Sequence, residues 1–129
     1  MEMFETELAP LPQSSRAARM WVRPKLQAWN FGAVADEVEL LLSELVSNVV
    51  EHVGEPMSVR LTRHDGRVRV EVDDPSEVAP VVRAPDLRDE GGRGMRLIAS
   101  FADRWGTVLH SDDGKTVWFE LAGERGPSS

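Results

Sequence analysis

The chain has 129 residues, 41% apolar and 29% charged, a composition that describes one soluble globular domain and excludes a disordered one. It holds no cysteine, which excludes disulfides, thiolate zinc sites and thiol nucleophiles. Its net charge of −7 argues against DNA or RNA as the main partner, because phosphate backbones are held by dense Lys/Arg patches. No apolar run approaches the ~18 residues of a membrane helix. Met1-Glu2-Met3-Phe4-Glu5 lacks the basic start of a signal peptide, so a cytoplasmic location is expected.

Phe4-Glu5-Thr6-Glu7-Leu8 alternates and predicts an edge strand, closed by Pro10 and Pro12. Ser14 and Ser15 stand where they can cap a helix carrying Ala17, Met20, Trp21, Leu26 and Trp29. Pro24 lies inside this pattern and predicts a kink or break, since proline removes a backbone donor and clashes one turn back. Asn30 and Gly32 end that helix, and a second runs from about Ala33 to His52. Its Val38, Leu41, Leu42, Leu45, Val46, Val49 and Val53 have the i, i+3/i+4 spacing of a core-facing stripe.

Glu44, Asn48 and His52 recur every four residues on this second helix. Each step advances about 400°, so the three form one polar ridge over roughly 12 Å of axis. A carboxylate and an amide one turn apart beside a core suit a general base and a metal ligand. A solvated helix face has the same pattern.

Val59–Arg63 and Val68–Val72 read as strands around Asp65-Gly66, a strong hairpin signal. Alternation puts the basic residues Arg60, Arg63, Arg67 and Arg69 on the wet face of this hairpin. Carried past Val68, Val70 and Val72, it also sets Asp74 on the valine face and Asp73 opposite. From Pro75 to Asp89 three prolines and several charges without periodicity predict a long loop, and long loops in small domains are usually functional. Glu90-Gly91-Gly92-Arg93-Gly94-Met95 leads into a short helix, Met95–Ala102. Three glycines in four positions let the backbone approach a phosphate with no Cβ between. A helix start adds free amides and the positive end of a dipole. A surface turn would show the same composition.

Strands Arg104–His110 and Thr116–Leu121 follow, joined by Ser111-Asp112-Asp113-Gly114, with Trp105 and Trp118 expected in the core. Residues 123–129 read as a disordered tail after a single domain, 1–122. The order β–α–α–β–β–loop–α–β–β predicts an α+β fold: a two-layer α/β sandwich, its mixed, mostly antiparallel sheet carrying helices on one face.

In order and spacing these motifs resemble those of the GHKL ATPase superfamily, which includes histidine-kinase catalytic domains and type II topoisomerase ATPase domains. Glu44-x-x-x-Asn48 resembles its N box, Gly92-x-Gly94 its G2 box, and Val70-Glu71-Val72-Asp73-Asp74 the strand ending in the G1 aspartate. Gly114-Lys115-Thr116-Val117-Trp118-Phe119 is similar to the terminal strand that carries the adenine-side threonine. Over residues 3–122 the chain looks like the small stand-alone members, the anti-sigma-factor serine kinases and their actinobacterial relatives.

The resemblance implies the Bergerat fold and a site for ATP with magnesium. It implies Asn48 as magnesium ligand, Glu44 as general base, Asp74 as acceptor of the adenine amine and Thr116 beside the adenine. Gly92, Arg93, Gly94 and Met95 would surround the phosphates, with His52 continuing the ridge. It further implies a serine/threonine kinase that phosphorylates a small antagonist protein and sequesters a sigma factor; a homodimer is compatible with the sequence, which does not set the oligomeric state. The loop from Pro75 to Gly92 would serve as a lid. The family's Asp-x-Gly-x-Gly is replaced here by Asp74-Pro75-Ser76-Glu77-Val78, without either glycine. That departure keeps a second expectation open, a non-catalytic nucleotide-binding regulatory module.

Overall fold

The computed structural model describes residues 2–76, 93–111 and 114–123. Its elements are β1 (Glu2–Leu8), α1 (Ser14–Ala28), a 3-10 turn (Gly32–Val34), α2 (Ala35–His52), β2 (Met57–His64), β3 (Arg67–Asp74), α3 (Arg93–Phe101), β4 (Arg104–His110) and β5 (Gly114–Ala122). The strands form one sheet in the order β1-β2-β3-β5-β4. The two-layer α+β class is as expected, but every described strand pair is antiparallel, so the sheet is not mixed among the described residues. The expected loop after Pro75 and the tail after Gly123 lie outside the described residues.

Period-two alternation decides which side of the sheet is dry. Val59, Leu61, Val68, Val70, Val72, Val117, Phe119 and Leu121 face the helices and are buried together with the apolar stripe of α2. Arg60, Arg69, Glu71, Trp118 and Glu120 take the other face, where they form an ion-pair network around Arg60 and Arg69. Trp118 therefore lies outside the core, half-buried under the Arg69 guanidinium at 3.9 Å from its ring centroid. Trp105, one strand over, does pack against the core. Arg63 is not on the expected wet face: three residues from Arg60, it has the parity of Val59 and Leu61, and it lies over Trp29 and pairs with Glu2 of β1.

The buried stripe of α1 is Ser14, Ala18, Val22 and Leu26, while Ala17 is exposed and Met20 is 65% exposed. Small residues at 14, 15 and 18 let α1 lie close against α2, and the contacts run antiparallel. Ser15 meets Ser47, Arg19 donates to Ser43 Oγ at 2.9 Å, and Arg23 bonds Asp36 and Glu39. Those two carboxylates hold the Arg23 guanidinium further above its already high pKa. Neither serine caps α1: its N-cap is Gln13, with no side-chain bond, and Ser14 instead donates to the Ala9 carbonyl. Nor does Pro24 break the helix. It sits on the exposed face, where the carbonyl it leaves unpaired is open to water.

The helix ends where sequence chemistry says it should. Asn30 adopts φ 65°, Phe31 N–H bonds the Leu26 carbonyl and Asn30 N–H the Gln27 carbonyl, a Schellman closure. Asp65 and Gly66, both at positive φ, make the tight β2–β3 turn. No helix among the described residues is long and apolar enough to cross a membrane.

Three chain reversals bring the polar residues to one end of the sheet. α2 returns into β2, whose first residues pair with the last of β3, so the second half of α2 lies toward Asp74. α3 returns into β4 within two residues, so its first turn lies toward the end at which β4 finishes. β5 begins there, with Gly114 opposite His110 and Lys115 opposite Asp74.

Candidate functional site

Glu44 and Asn48 are half-buried on α2, one turn apart and flanked by the core residues Leu45, Val46 and Val49. The first turn of α3 packs directly onto them. A Cβ at Gly94 would lie 3.1 Å from Glu44 Oε2, 3.3 Å from Asn48 Nδ2 and 3.3 Å from Glu44 Cβ. Glycine is what allows this approach, and it sets the first turn of a nine-residue helix against the carboxylate and the amide. The acid–amide ridge and the glycine motif, about fifty residues apart in sequence, are thus one constellation. Glu44 also has a partner of its own within the structure.

Asp74 lies on the helix-facing side of β3, as alternation requires, and is 5% exposed. Its carboxylate is engaged. Oδ1 accepts the Ser76 N–H at 2.7 Å and a Lys115 Nζ hydrogen at 3.0 Å. Nζ is also 3.0 Å from Oδ2, an ion-pair contact that is not a hydrogen bond, and Oδ2 has no hydrogen-bond partner among the described residues. We read this as a charge contact to both oxygens with one directed bond. The β3–β5 junction is tight: Gly114, at φ 90°, would place a Cβ 2.0 Å from the Asp74 carbonyl oxygen.

Other candidates fall elsewhere. Thr116 faces the outer side of the sheet, away from the helices, where it donates to Asp73 and lies 2.8 Å from His110 Nε2. Asp74 and Thr116 are therefore on opposite faces, because they sit one residue out of phase across the β3–β5 register. Met95 is buried in the core, and His52 is exposed at the end of α2, 3.8 Å from Glu51. Gly92 and the Arg93 side chain lie outside the described residues. The residue the sequence reading missed is Lys115. Its signal was available: alternation back through Leu121, Phe119 and Val117 sets Lys115 beside Asp74.

A shallow hollow of about 460 Å³ opens on the outer face, lined by Arg60, Glu71, Asp73, Val108, His110 and Thr116. Its one strong cation, Arg60, is already paired to Glu5, Glu71 and Asp73. Two lining carboxylates and a spent arginine make a poor phosphate site. Among the described residues no cluster of three acidic or histidine side chains could cage a metal by itself. A magnesium ion at Asn48 would need phosphate oxygens and water to complete its shell, which is how magnesium is usually held. Gly94 brings the start of α3 against the one acid and the one amide of the ridge. At Asp74 the lysine ammonium already engages the carboxylate.

A family model described as "Histidine kinase-like ATPase domain" matches residues 8–121. An uncharacterised protein of Streptomyces coelicolor is 40% identical over 88 residues, which span 64% of this chain and 83% of that relative.

Proposed function

Because this chain belongs to the histidine kinase-like ATPase domain family, we propose that it binds ATP with magnesium where α3 meets α2, and that it is a protein kinase of the anti-sigma-factor type. The observation that supports the site best is the seating of Gly94 on Glu44 and Asn48. Asn48 offers one side-chain oxygen to magnesium, and the first amides of α3 face the phosphates. Magnesium, when bound, neutralises charge on the phosphate oxygens.

Glu44 stands one turn away and takes the proton of an incoming serine hydroxyl. That oxygen then bonds to the terminal phosphorus as the bond to ADP breaks. The acceptor, by the resemblance, is a serine on a small antagonist protein, and the same domain holds a sigma factor. An acidic chain of net charge −7 suits docking onto a basic partner.

One observation favours a second reading, a regulatory module that binds nucleotide without turning it over. The Asp74 carboxylate is already engaged by Lys115 and by the Ser76 amide.

Thermal unfolding with and without ligand tests the site. Mg-ATP at a hundred times its dissociation constant adds about 2.7 kcal/mol to stability. For a domain of this length the melting temperature should rise on the order of 5–15 °C. The rise should shrink with ATP plus a chelator. No shift in millimolar Mg-ATP would remove the nucleotide reading.

A further inference from the structure

We infer that Lys115 sets the base selectivity of this site: by engaging Asp74 it takes the place of a base amine, so the nucleotide is held through its phosphates with little preference for adenine. The inference rests on the nucleotide site proposed above and concerns only its base end. A lone buried carboxylate would reward an exocyclic amine strongly, because a hydrogen bond to an ionised acceptor is worth about twice a neutral one. Here the acceptor is not alone. Nζ lies 3.0 Å from both Asp74 oxygens, and the two side chains are 1% and 6% exposed.

An incoming amine must therefore displace an ammonium from its charge partner. The displaced Lys115 would be a buried cation without a counter-ion, a state that proteins disfavour strongly. Among the described residues Oδ2 has no hydrogen bond, so the acceptor exists, but it is covered by the ammonium that neutralises it. Nothing in this arrangement favours the 6-amino group of adenine over the 6-oxo group of guanine. Both reach a site whose carboxylate is already satisfied. The phosphate end, built from Gly94, Asn48 and Glu44, is common to the two nucleotides.

Calorimetric titration of the whole chain with Mg-ATP and Mg-GTP tests this directly. The wild-type protein should bind the two within about threefold of each other. Lys115→Thr, which frees Asp74 and supplies no competing cation, should bind Mg-ATP at least tenfold more tightly and leave Mg-GTP unchanged. A wild-type preference for ATP of more than tenfold would overturn the inference and leave the proposed site standing. So would a folded Lys115→Thr protein with unchanged affinity for both. If neither nucleotide binds wild type or variant, the inference and the proposed site fall together. If Lys115→Thr does not fold, the wild-type ratio alone decides.

Discussion

Glu44 and Gly94 can be separated by substitution, because the proposed site gives each a different job at the same spot. Glu44→Gln keeps the side chain's size and half-buried position and removes its charge and basicity. Its melting temperature should stay within a few degrees, and Mg-ATP affinity within a few-fold. Phosphoryl transfer to a cognate acceptor should fall about 10²–10⁴-fold, the usual worth of a positioned base. Transfer at the wild-type rate would rule Glu44 out as the base.

Gly94→Ala is a probe of closeness instead. The added methyl would sit 3.1–3.3 Å from Glu44 and Asn48 side-chain atoms, so these must yield by a few tenths of an ångström. The better helix propensity of alanine, worth about 1 kcal/mol, offsets part of that strain. Stability should change little while Mg-ATP affinity falls at least tenfold. A variant that binds as well as wild type would show that the nucleotide does not approach α3 at Gly94.

Elements carried most of the legible information, and their failures have physical causes. Long apolar stripes and turn residues set α2, the β2–β3 hairpin and the closure of α1 at Asn30, because period and positive φ are local properties. The face of α1 was not local. Apolar residues stand next to one another at Ala17-Ala18 and Met20-Trp21-Val22, so the pattern allows two phases, and packing against the serines of α2 selects one. Thr116 shows the same limit. As a motif letter it matches, but register against β3 places it on the far face and puts Lys115 in its stead. The acid–amide ridge could be read from spacing, whereas its contact with Gly94 depends on how α3 folds back.

The β3–β5 junction gives a prediction at this scale. Gly114→Ala would force a Cβ to 2.0 Å from the Asp74 carbonyl at a φ of 90°, which L-residues avoid. It should cost several kcal/mol, on the order of 3 or more, read as a lower denaturant midpoint with an unchanged slope. A change below about 1 kcal/mol would mean that the end of β5 does not close on Asp74 as described.

Taken whole, the molecule has one dry layer and two chemically different faces, and this makes the ligand's position measurable. β2, β3 and β5 are hydrogen-bonded on both sides, while β1 and β4 are edges with mostly exposed side chains. α2 buries seven residues in the core. Amides of α2, β2, β3 and β5 should therefore exchange through the global opening, and those of β1 and β4 through cheaper local ones. A ligand adds protection beyond the global increase only where it holds backbone directly. If phosphates and magnesium lie between α3 and the ridge, Mg-ATP should slow exchange most in the first turn of α3 and around Glu44 and Asn48. The outer strand residues Arg60, Glu71, Asp73, His110 and Thr116, which line the opposite hollow, should follow only the global change. The reverse pattern, with local protection confined to that outer face, would put the nucleotide in the hollow. The α2–α3 constellation would then be a helix-packing contact.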